Sequence, residues 1–262
     1  MSNKLKLFLQ PFGINPQKII QTFFRYPSFY LDFYKFKKKS NGQFTVFPIS
    51  TLFPCIHDKY DESGQAKGHY FHQDLLVANW VFKNNPLQHY DVGSRIDGFV
   101  SHVASYRKII VIDIRVLKST SDNIEYMQAD LMSELPISLI ESTESLSCLH
   151  TIEHFGLGRY GDPINFDGHI LGFNNLLMML RPNGKLYFST PIGSQRIEFN
   201  AHRIFSLDYL INTLFNHKVE IIKFSYVDDN GDLHTNVELN SDNVSSNLNC
   251  KYGCGIFELK KL

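Results

Sequence analysis

Two stretches of sequence decide the fold: His89-Tyr90-Asp91-Val92-Gly93-Ser94-Arg95-Ile96-Asp97-Gly98-Phe99-Val100 and, a few residues later, Lys108-Ile109-Ile110-Val111-Ile112-Asp113. Each contains a short run of apolar residues, which is typical of a buried strand, and glycines lie between the runs where a helix would begin. The pattern predicts a strand, a glycine turn, a helix and a second strand. This is one βαβ unit of an α/β sheet.

Gly93 and Asp113 give this unit its predicted chemistry. A residue without Cβ at the turn lets the backbone come close to a bound ligand. Asp113 lies 22 residues after Asp91 (113 − 91), near the spacing at which an acid reaches ribose hydroxyls. Arg95 occupies the position of the second glycine in the dinucleotide-binding motif. Asp91 lies two residues before Gly93, and because an aspartate favours a cation, a nucleoside with a cationic sulfonium is favoured over a pyrophosphate. The alternative is an ordinary strand-to-helix turn, with Asp113 capping the next element.

Composition limits the class of protein. A chain of 262 residues can hold one α/β domain and an extension. Its 26 basic and 26 acidic residues give no net charge, which predicts no nucleic-acid partner. The four cysteines lack zinc-ribbon spacing and are predicted to be reduced thiols. No apolar run is long enough for a signal peptide or a membrane span, so a cytoplasmic protein is predicted.

The N-terminal segment is aromatic and basic. Helical spacing from Pro27 places Tyr30 and Tyr34 on one side with further aromatic residues beside them. We expect this helix to pack on the main domain or on a second subunit of a homodimer, and a membrane-surface helix is the alternative. The predicted domains are an extension over residues 1–50 and an α/β domain over residues 51–262.

The pattern of strands and helices continues after Asp113. Asp130 ends a third predicted strand and is placed to accept a hydrogen bond from an exocyclic amine such as that of adenine. The alternative is that Asp130 caps the segment beginning at Leu131, and both roles are compatible. Further strands are predicted over residues 145–150, 185–190, 219–227 and 255–259, and helices over residues 69–82 and 170–181.

Two loops carry most of the reactive side chains. Residues 153–163 follow the fourth strand and read Glu-His-Phe-Gly-Leu-Gly-Arg-Tyr-Gly-Asp-Pro, and residues 199–203 follow the fifth strand and read Phe-Asn-Ala-His-Arg. Ligands in open α/β sheets bind beyond the carboxyl ends of the strands. Both loops are therefore predicted to border the ligand pocket.

The order of elements resembles the class I S-adenosylmethionine-dependent methyltransferases, and the two loops resemble the methyltransferase-like DUF268 family, over roughly residues 52–210. The resemblance implies a Rossmann-like, mostly parallel sheet of about seven strands with an N-terminal helical extension. It also implies S-adenosylmethionine as the cofactor. The cofactor-binding residues that the resemblance implies, together with neighbouring residues, are Asp91, Gly93, Ser94, Asp113, Ile114, Asp130, Leu131 and His150.

Methyl transfer to a hydroxyl requires removal of the hydroxyl proton. A histidine with a pKa near 6.5 suits this task. His154 is the first candidate for the base, oriented by Glu153, and His202 is the second. A divalent metal (Mn, Fe or Mg) bound by His154, His202 and Asp162 is the alternative means of acidifying the hydroxyl.

Arg159 and Arg203 suit a phosphate-bearing acceptor, because a guanidinium group pairs with phosphate through two hydrogen bonds. With Tyr160, Asp162 and Asn200 they form the predicted substrate site. The function predicted is O-methylation of a sugar hydroxyl, on a nucleotide-activated sugar for a bacterial capsule or surface polysaccharide. The alternatives are a methyltransferase for another small molecule and a non-catalytic binding module with the same fold.

Overall fold

The structure, a computed structural model, describes residues 5, 8–40, 44, 47–119 and 121–262. The chain forms two compact units, Met1–Gln65 and Ala66–Leu262. The predicted domain boundary after residue 50 falls within the first unit and stays a prediction. Among the described residues, none of the helices combines the length and the apolar character that crossing a bilayer requires.

The first unit contains one long helix, α1, at Pro16–Lys39. Asn15 caps it, because its side-chain oxygen accepts a hydrogen bond from the Lys18 amide at 3.1 Å. Pro27 lies inside this helix, so the prediction that the helix begins at Pro27 is wrong. Proline removes only one backbone donor, and the remaining turns of a 24-residue helix outweigh that loss.

The segment that follows α1 packs back against it within the first unit. The two ring nitrogens of His57 lie 3.2 Å from the Thr22 hydroxyl and 2.7 Å from an Arg25 guanidinium nitrogen. No residue of α1 is buried, and Phe23 and Phe24 are 77% and 81% exposed. The role of this aromatic helix in a homodimer stays a prediction.

The second unit contains ten strands: β1 (His89–Val92), β2 (Ile109–Asp113), β3 (Ile124–Gln128), β4 (Thr143–Leu149), β5 (Leu180–Ile192), β6 (Arg196–Glu198), β7 (His202–Ile204), β8 (Val219–Val227), β9 (Leu233–His234) and β10 (Gly253–Lys261). Eight of them form one sheet in the order β3-β2-β1-β4-β5-β10-β8-β9. Strands β1 to β5 pair in parallel, and β10 is antiparallel to both β5 and β8. The remaining two, β6 and β7, form a small antiparallel sheet.

Helices cover both faces of the large sheet. They are α2 (His69–Asn84), α3 (Ser101–Ala104), α4 (Gly168–Met179), α5 (Leu207–Tyr209) and α6 (Ser241–Ser245), with π-helical turns at Ile96–Val100 before α3 and at Leu210–Phe215 after α5.

Alternation of side chains along β2 shows how the layers are packed. Ile110 and Ile112 join one core with Phe173 of α4, whereas Ile109 and Val111 join the other with Trp80 of α2. Successive residues of a strand point to opposite faces, so a strand buried on both sides must be apolar throughout. The predicted α/β, Rossmann-like class is confirmed, with a mostly parallel sheet of eight strands.

The connection between α4 and β5 differs from its prediction. The helix predicted over residues 170–181 ends at Met179, and β5 already begins at Leu180. The pairing of β4 with β5 shifts between Thr143 opposite Leu180 and Ser145 opposite Lys185. Pro182, Asn183 and Gly184 lie in this irregular stretch of strand. Proline and glycine fit a bulge.

Candidate active site

A cavity of about 530 Å³ lies at the carboxyl ends of β1, β2 and β4. The strand order reverses between β1 and β4, which is where ligands bind in open α/β sheets, and the volume suits a small molecule. The predicted site residues that line it are Gly93, Ser94, Asp113, Ile114, Asp130, Leu131, His150, His154, Tyr160 and Asp162.

Gly93 forms the turn between β1 and the following helical segment. Its φ of 70° lies in the left-handed region, which glycine adopts without steric cost. A Cβ at this position would also lie 2.4 Å from the Thr151 Cγ2 atom. Glycine is therefore required twice, by the backbone conformation and by the loop after β4. The group that comes close to Gly93 is thus the Thr151 side chain, whereas the sequence predicted a bound ligand there.

Asp91 does not line the cavity, although it was predicted to contact the methionine part of the cofactor. It is fully buried, and its carboxylate accepts hydrogen bonds from the Ser94 amide at 3.0 Å, the Ser94 hydroxyl at 2.6 Å and the Ser147 hydroxyl. These bonds tie the glycine turn to β4. Asp91 thus positions the turn, because three of the roughly four acceptor sites of its carboxylate are used within the protein.

Burial raises the pKa of Asp91 to about 6 despite its hydrogen bonds to Ser147 and Ser94. Because the pKa of Asp91 is higher in the folded state, its protonated side chain stabilises the fold fully below about pH 4. This stabilisation is lost as the pH rises through about 6. The loss amounts to about 3 kcal/mol. We expect the free energy of unfolding of Asp91→Asn, relative to wild type, to rise by about this amount between pH 4 and pH 7. Urea unfolding of both proteins at each pH measures it, and a constant difference would contradict the assignment.

Asp113 ends β2 and is paired with an arginine. Its carboxylate accepts hydrogen bonds from the Arg115 amide at 2.8 Å and from the guanidinium group at 3.0 and 2.7 Å. The Arg115 guanidinium also lies 4.4 Å from the Tyr160 ring centre. Asp113 and Arg115 both line the cavity, so Arg115 is a site residue that the sequence analysis missed. An arginine two residues after the expected ribose-binding acid was the available signal.

Asp130 caps the turn after β3. One carboxylate oxygen accepts a hydrogen bond from the Met132 amide at 2.8 Å and the other from the Ser133 hydroxyl at 3.0 Å. The capping role is therefore present. Asp130 also lines the cavity, and its contact with an adenine amine stays a prediction.

His154 has the geometry of a base. Its Nδ1 atom lies 2.7 Å from the Ala201 carbonyl oxygen, so Nδ1 carries the proton and Nε2 keeps the lone pair. Burial, more than any other factor, lowers the pKa of His154 below its usual value near 6.5. The imidazole is therefore neutral at pH 7 and able to take a proton.

Glu153 orients His150 rather than His154. One Glu153 carboxylate oxygen lies 2.8 Å from His150 Nδ1 and 3.8 Å from His154 Nε2. Burial disfavours the charged form of both groups. The attraction between them nevertheless keeps the pKa of Glu153 below its usual value. Cys254 and Glu153 together raise the pKa of His150 above its usual value. The prediction that Glu153 orients His154 is wrong, because the Ala201 carbonyl already holds that ring. Glu153 does not line the cavity.

The loop over residues 153–162 is held by two charged side chains that were predicted to bind substrate. Asp162 accepts hydrogen bonds from the Gly156, Gly158 and Tyr160 amides at 2.8–3.1 Å. Arg203 is 4% exposed and donates hydrogen bonds to backbone carbonyls, including that of Phe166 at 2.9 Å. Arg203 therefore stabilises the loop from inside and does not reach the cavity.

Of the three remaining predicted substrate residues, Tyr160 lines the cavity, whereas Asn200 and Arg159 do not. Asn200 is exposed and its amide is 3.5 Å from the Leu157 carbonyl oxygen. Arg159 is exposed, donates a hydrogen bond to the Ala201 carbonyl at 3.0 Å and lies 5.1 Å from the Tyr160 ring centre. Neither residue lines the cavity, and Arg159 is the nearer of the two to His154, at 3.4 Å between nitrogens.

The predicted metal ligands His154, His202 and Asp162 do not converge. Asp162 and His154 are bound to backbone groups, as described above, and His202 Nε2 lies 3.4 Å from a Glu198 carboxylate oxygen. This ligand set is therefore wrong. In the part of the chain that the structure describes, the potential metal-ligating side chains that do come together are His69, His150 and Cys254.

The sheet order and the helices on both of its faces define a Rossmann-like, methyltransferase-like fold. A putative sarcosine dimethylglycine methyltransferase from Galdieria sulphuraria is 12% identical, with 72% of this chain and 84% of that chain covered and a TM-score of 0.51. The [4+2]-cyclase SpnF is 14% identical, with 72% of this chain and 81% of that chain covered and a TM-score of 0.50. At these identities the likeness concerns the fold alone, and a fold does not specify its reaction.

The chain belongs to the DUF268 family. The model of that family, described as a Caenorhabditis protein of unknown function, matches residues 106–262, more than half of the chain. The matched region contains Asp113 and both reactive loops, and it begins after the glycine turn. The predicted family is confirmed. No curated protein sequence matches the chain.

Proposed function

We propose that this protein is an S-adenosylmethionine-dependent O-methyltransferase. The observation that carries the proposal is that Asp113 and His154 line the same cavity, at the switch point of the sheet. An acid after the second strand suits a ribose, and a neutral imidazole suits a hydroxyl that must lose its proton. The Rossmann-like methyltransferase fold supports this choice of cofactor.

The residues around the cavity fit the parts of the cofactor. Gly93 and Ser94 would hold its methionine end, and Asp113 its ribose. Asp130 would accept a hydrogen bond from the adenine amine, with Ile114 and Leu131 on either side of the ring. When bound, S-adenosylmethionine supplies an electrophilic methyl group. When the ribose binds, the Arg115 guanidinium must either share the Asp113 carboxylate with the ribose hydroxyls or move away from it.

His154 would act on the acceptor. Nε2 of His154 would take the proton of the acceptor hydroxyl as that oxygen accepts the methyl group. The Ala201 carbonyl keeps the ring in the tautomer that this step needs. Most of the rate gain would come from holding the acceptor oxygen in line with the methyl group.

For the acceptor we propose the sugar of a nucleotide-activated sugar, used for a bacterial capsule or surface polysaccharide and made in the cytoplasm. Arg159 supports this choice because it is exposed beside His154 and Tyr160. Among the described residues, no carboxylate forms an ion pair with Arg159. Its guanidinium can therefore bind a phosphate. Arg203 no longer supports the choice, since it is occupied inside the loop.

Mass spectrometry of reactions with S-adenosylmethionine and a panel of nucleotide-sugars tests the acceptor class. We expect a nucleotide-sugar to gain one methyl group and the matching free sugar to gain none. Loss of one charge-assisted hydrogen bond in Arg159→Ala is expected to raise KM for that acceptor about 10-fold or more. The control Arg196→Ala removes an exposed arginine away from the cavity and is expected to leave KM unchanged. The nucleotide-sugar assignment fails if no panel member is methylated and none alters the melting curve, while S-adenosylhomocysteine does.

A further inference from the structure

Three side chains from distant parts of the chain meet beside the cavity. His69 is the first residue of α2, His150 directly follows β4, and Cys254 is the second residue of β10. One ligand atom from each, two imidazole nitrogens and a thiol sulfur, lie within 4.8 Å of one another. His150 and Cys254 are buried, and His69 is partly buried. His69 and Cys254 have no part in the proposed methyl transfer, whereas His150 lines the cavity and stays a predicted cofactor-binding residue.

The orientation of His150 shows which of its nitrogens faces this group. Nδ1 is paired with the fully buried Glu153 carboxylate at 2.8 Å, which leaves Nε2 for a second partner. Nε2 is buried and has no hydrogen-bond partner in the described part of the chain. A buried polar atom without a partner is uncommon, and it points to a missing ligand. A histidine whose other nitrogen donates to a carboxylate is also the usual arrangement of a metal ligand.

The ring of His150 is held in place by its surroundings. Its backbone φ of 50° is in the left-handed region, which non-glycine residues occupy only where the surrounding structure enforces it. The His69 ring stacks on it with ring centres 5.2 Å apart and planes at 18°. The Cys254 thiol makes long contacts to the Gln73 side-chain oxygen and the Gly255 carbonyl oxygen, both at 3.8 Å. Its sulfur is therefore available for another partner.

We propose that His69, His150 and Cys254 bind a zinc ion. Two imidazoles and one thiolate suit this borderline-soft metal, and three protein ligands leave the fourth tetrahedral position open. Adjacent ligands of a tetrahedral zinc are roughly 3.5 Å apart, so separations of up to 4.8 Å must shorten by at most about 1 Å on binding. The thiol proton of Cys254 and the Nε2 proton of protonated His150 are released as their bonds to zinc form. The site joins α2, β4 and β10, and because His150 lines the cavity, the metal lies at the cavity wall.

Metal titration of the tag-free, full-length chain after treatment with a chelator tests the proposal. We expect one zinc per chain by calorimetry and, with Co²⁺ as the probe, the near-ultraviolet absorption of a cobalt–thiolate bond. Cys254→Ser is expected to weaken zinc binding at least 100-fold and to abolish that absorption. Cys250→Ser removes the other buried cysteine of the same segment, and it is expected to retain both. Zinc is also expected to raise the melting temperature of wild type and of Cys250→Ser only.

A second variant keeps the test decisive if Cys254→Ser does not fold. His69 is only partly buried, so His69→Gln is expected to fold, to weaken zinc binding and to lower the cobalt absorption. The proposal is overturned if wild type binds no stoichiometric zinc, or if folded His69→Gln binds it as tightly as wild type. Titration of the chelator-treated chain with S-adenosylhomocysteine separates this result from the proposed methyltransferase function, because that function does not depend on the metal.

Discussion

His154→Gln is expected to lower turnover about 100-fold or more and to leave the affinity for S-adenosylhomocysteine within about 3-fold of wild type. Glutamine keeps a polar side chain of similar reach but cannot take the proton of the acceptor hydroxyl. Gly93 and Asp113, which we propose to hold the cofactor, lie on other loops of the cavity, so their contacts should persist. An effect on turnover without an effect on cofactor affinity is what a proton acceptor predicts.

The pH dependence of this reaction gives a second observable. Because burial lowers the pKa of His154, we expect kcat/KM to stay high at pH 6.5 and to fall only at lower pH, as the imidazole becomes protonated. The residual activity of His154→Gln should lack this fall. His102→Gln, which replaces an exposed histidine of α3, is the control and is expected to behave as wild type. Unchanged turnover in His154→Gln would exclude His154 as the base.

Asp113→Ala is expected to weaken cofactor binding about 100-fold, or about 3 kcal/mol. A carboxylate that accepts two hydrogen bonds from ribose hydroxyls contributes about 1.5–3 kcal/mol for each bond. Both oxygens of Asp113 accept hydrogen bonds from Arg115, and because Asp113 lines the cavity, ribose hydroxyls can replace the guanidinium group as donors. Without the carboxylate, the Arg115 guanidinium would face the ribose with no acceptor to hold it.

Stabilisation by ligand measures this loss. At a concentration of S-adenosylhomocysteine 100 times the wild-type Kd, we expect the free energy of unfolding to rise by about 2.7 kcal/mol for wild type and by about 0.4 kcal/mol for Asp113→Ala. Asp122→Ala is the matched control, because Asp122 is an exposed acid near the start of β3 and outside the cavity. Equal stabilisation of Asp113→Ala and wild type would show that Asp113 does not hold the ribose.

The parts of the site that the sequence predicted depend on local signals. The apolar run of β2 places Asp113 at a strand end, and the glycine after β1 marks a turn that needs a positive φ. Both features follow from the period of a strand and from the conformational freedom of glycine. The relation of Asp113 to the cavity then follows from the rule that ligands bind beyond the carboxyl ends of parallel strands.

The contacts that the sequence did not predict depend on packing between distant segments. Arg203 was expected to bind the ligand, but its guanidinium group instead donates hydrogen bonds to backbone carbonyl oxygens of the loop after β4. Cys254 meets His69 and His150 only because β10 inserts between β5 and β8, a pairing that no local pattern specifies. Likewise, a choice between two histidines as the partner of Glu153 depends on side-chain geometry rather than on spacing.

The central claim, that the cavity binds S-adenosylmethionine, is tested most directly by calorimetric titration of the wild-type, full-length chain with S-adenosylhomocysteine. We predict one binding site per chain with a Kd in the micromolar range, in the presence and in the absence of a chelator. Absence of binding under both conditions would contradict the claim and would leave a methyltransferase-like fold with a different ligand.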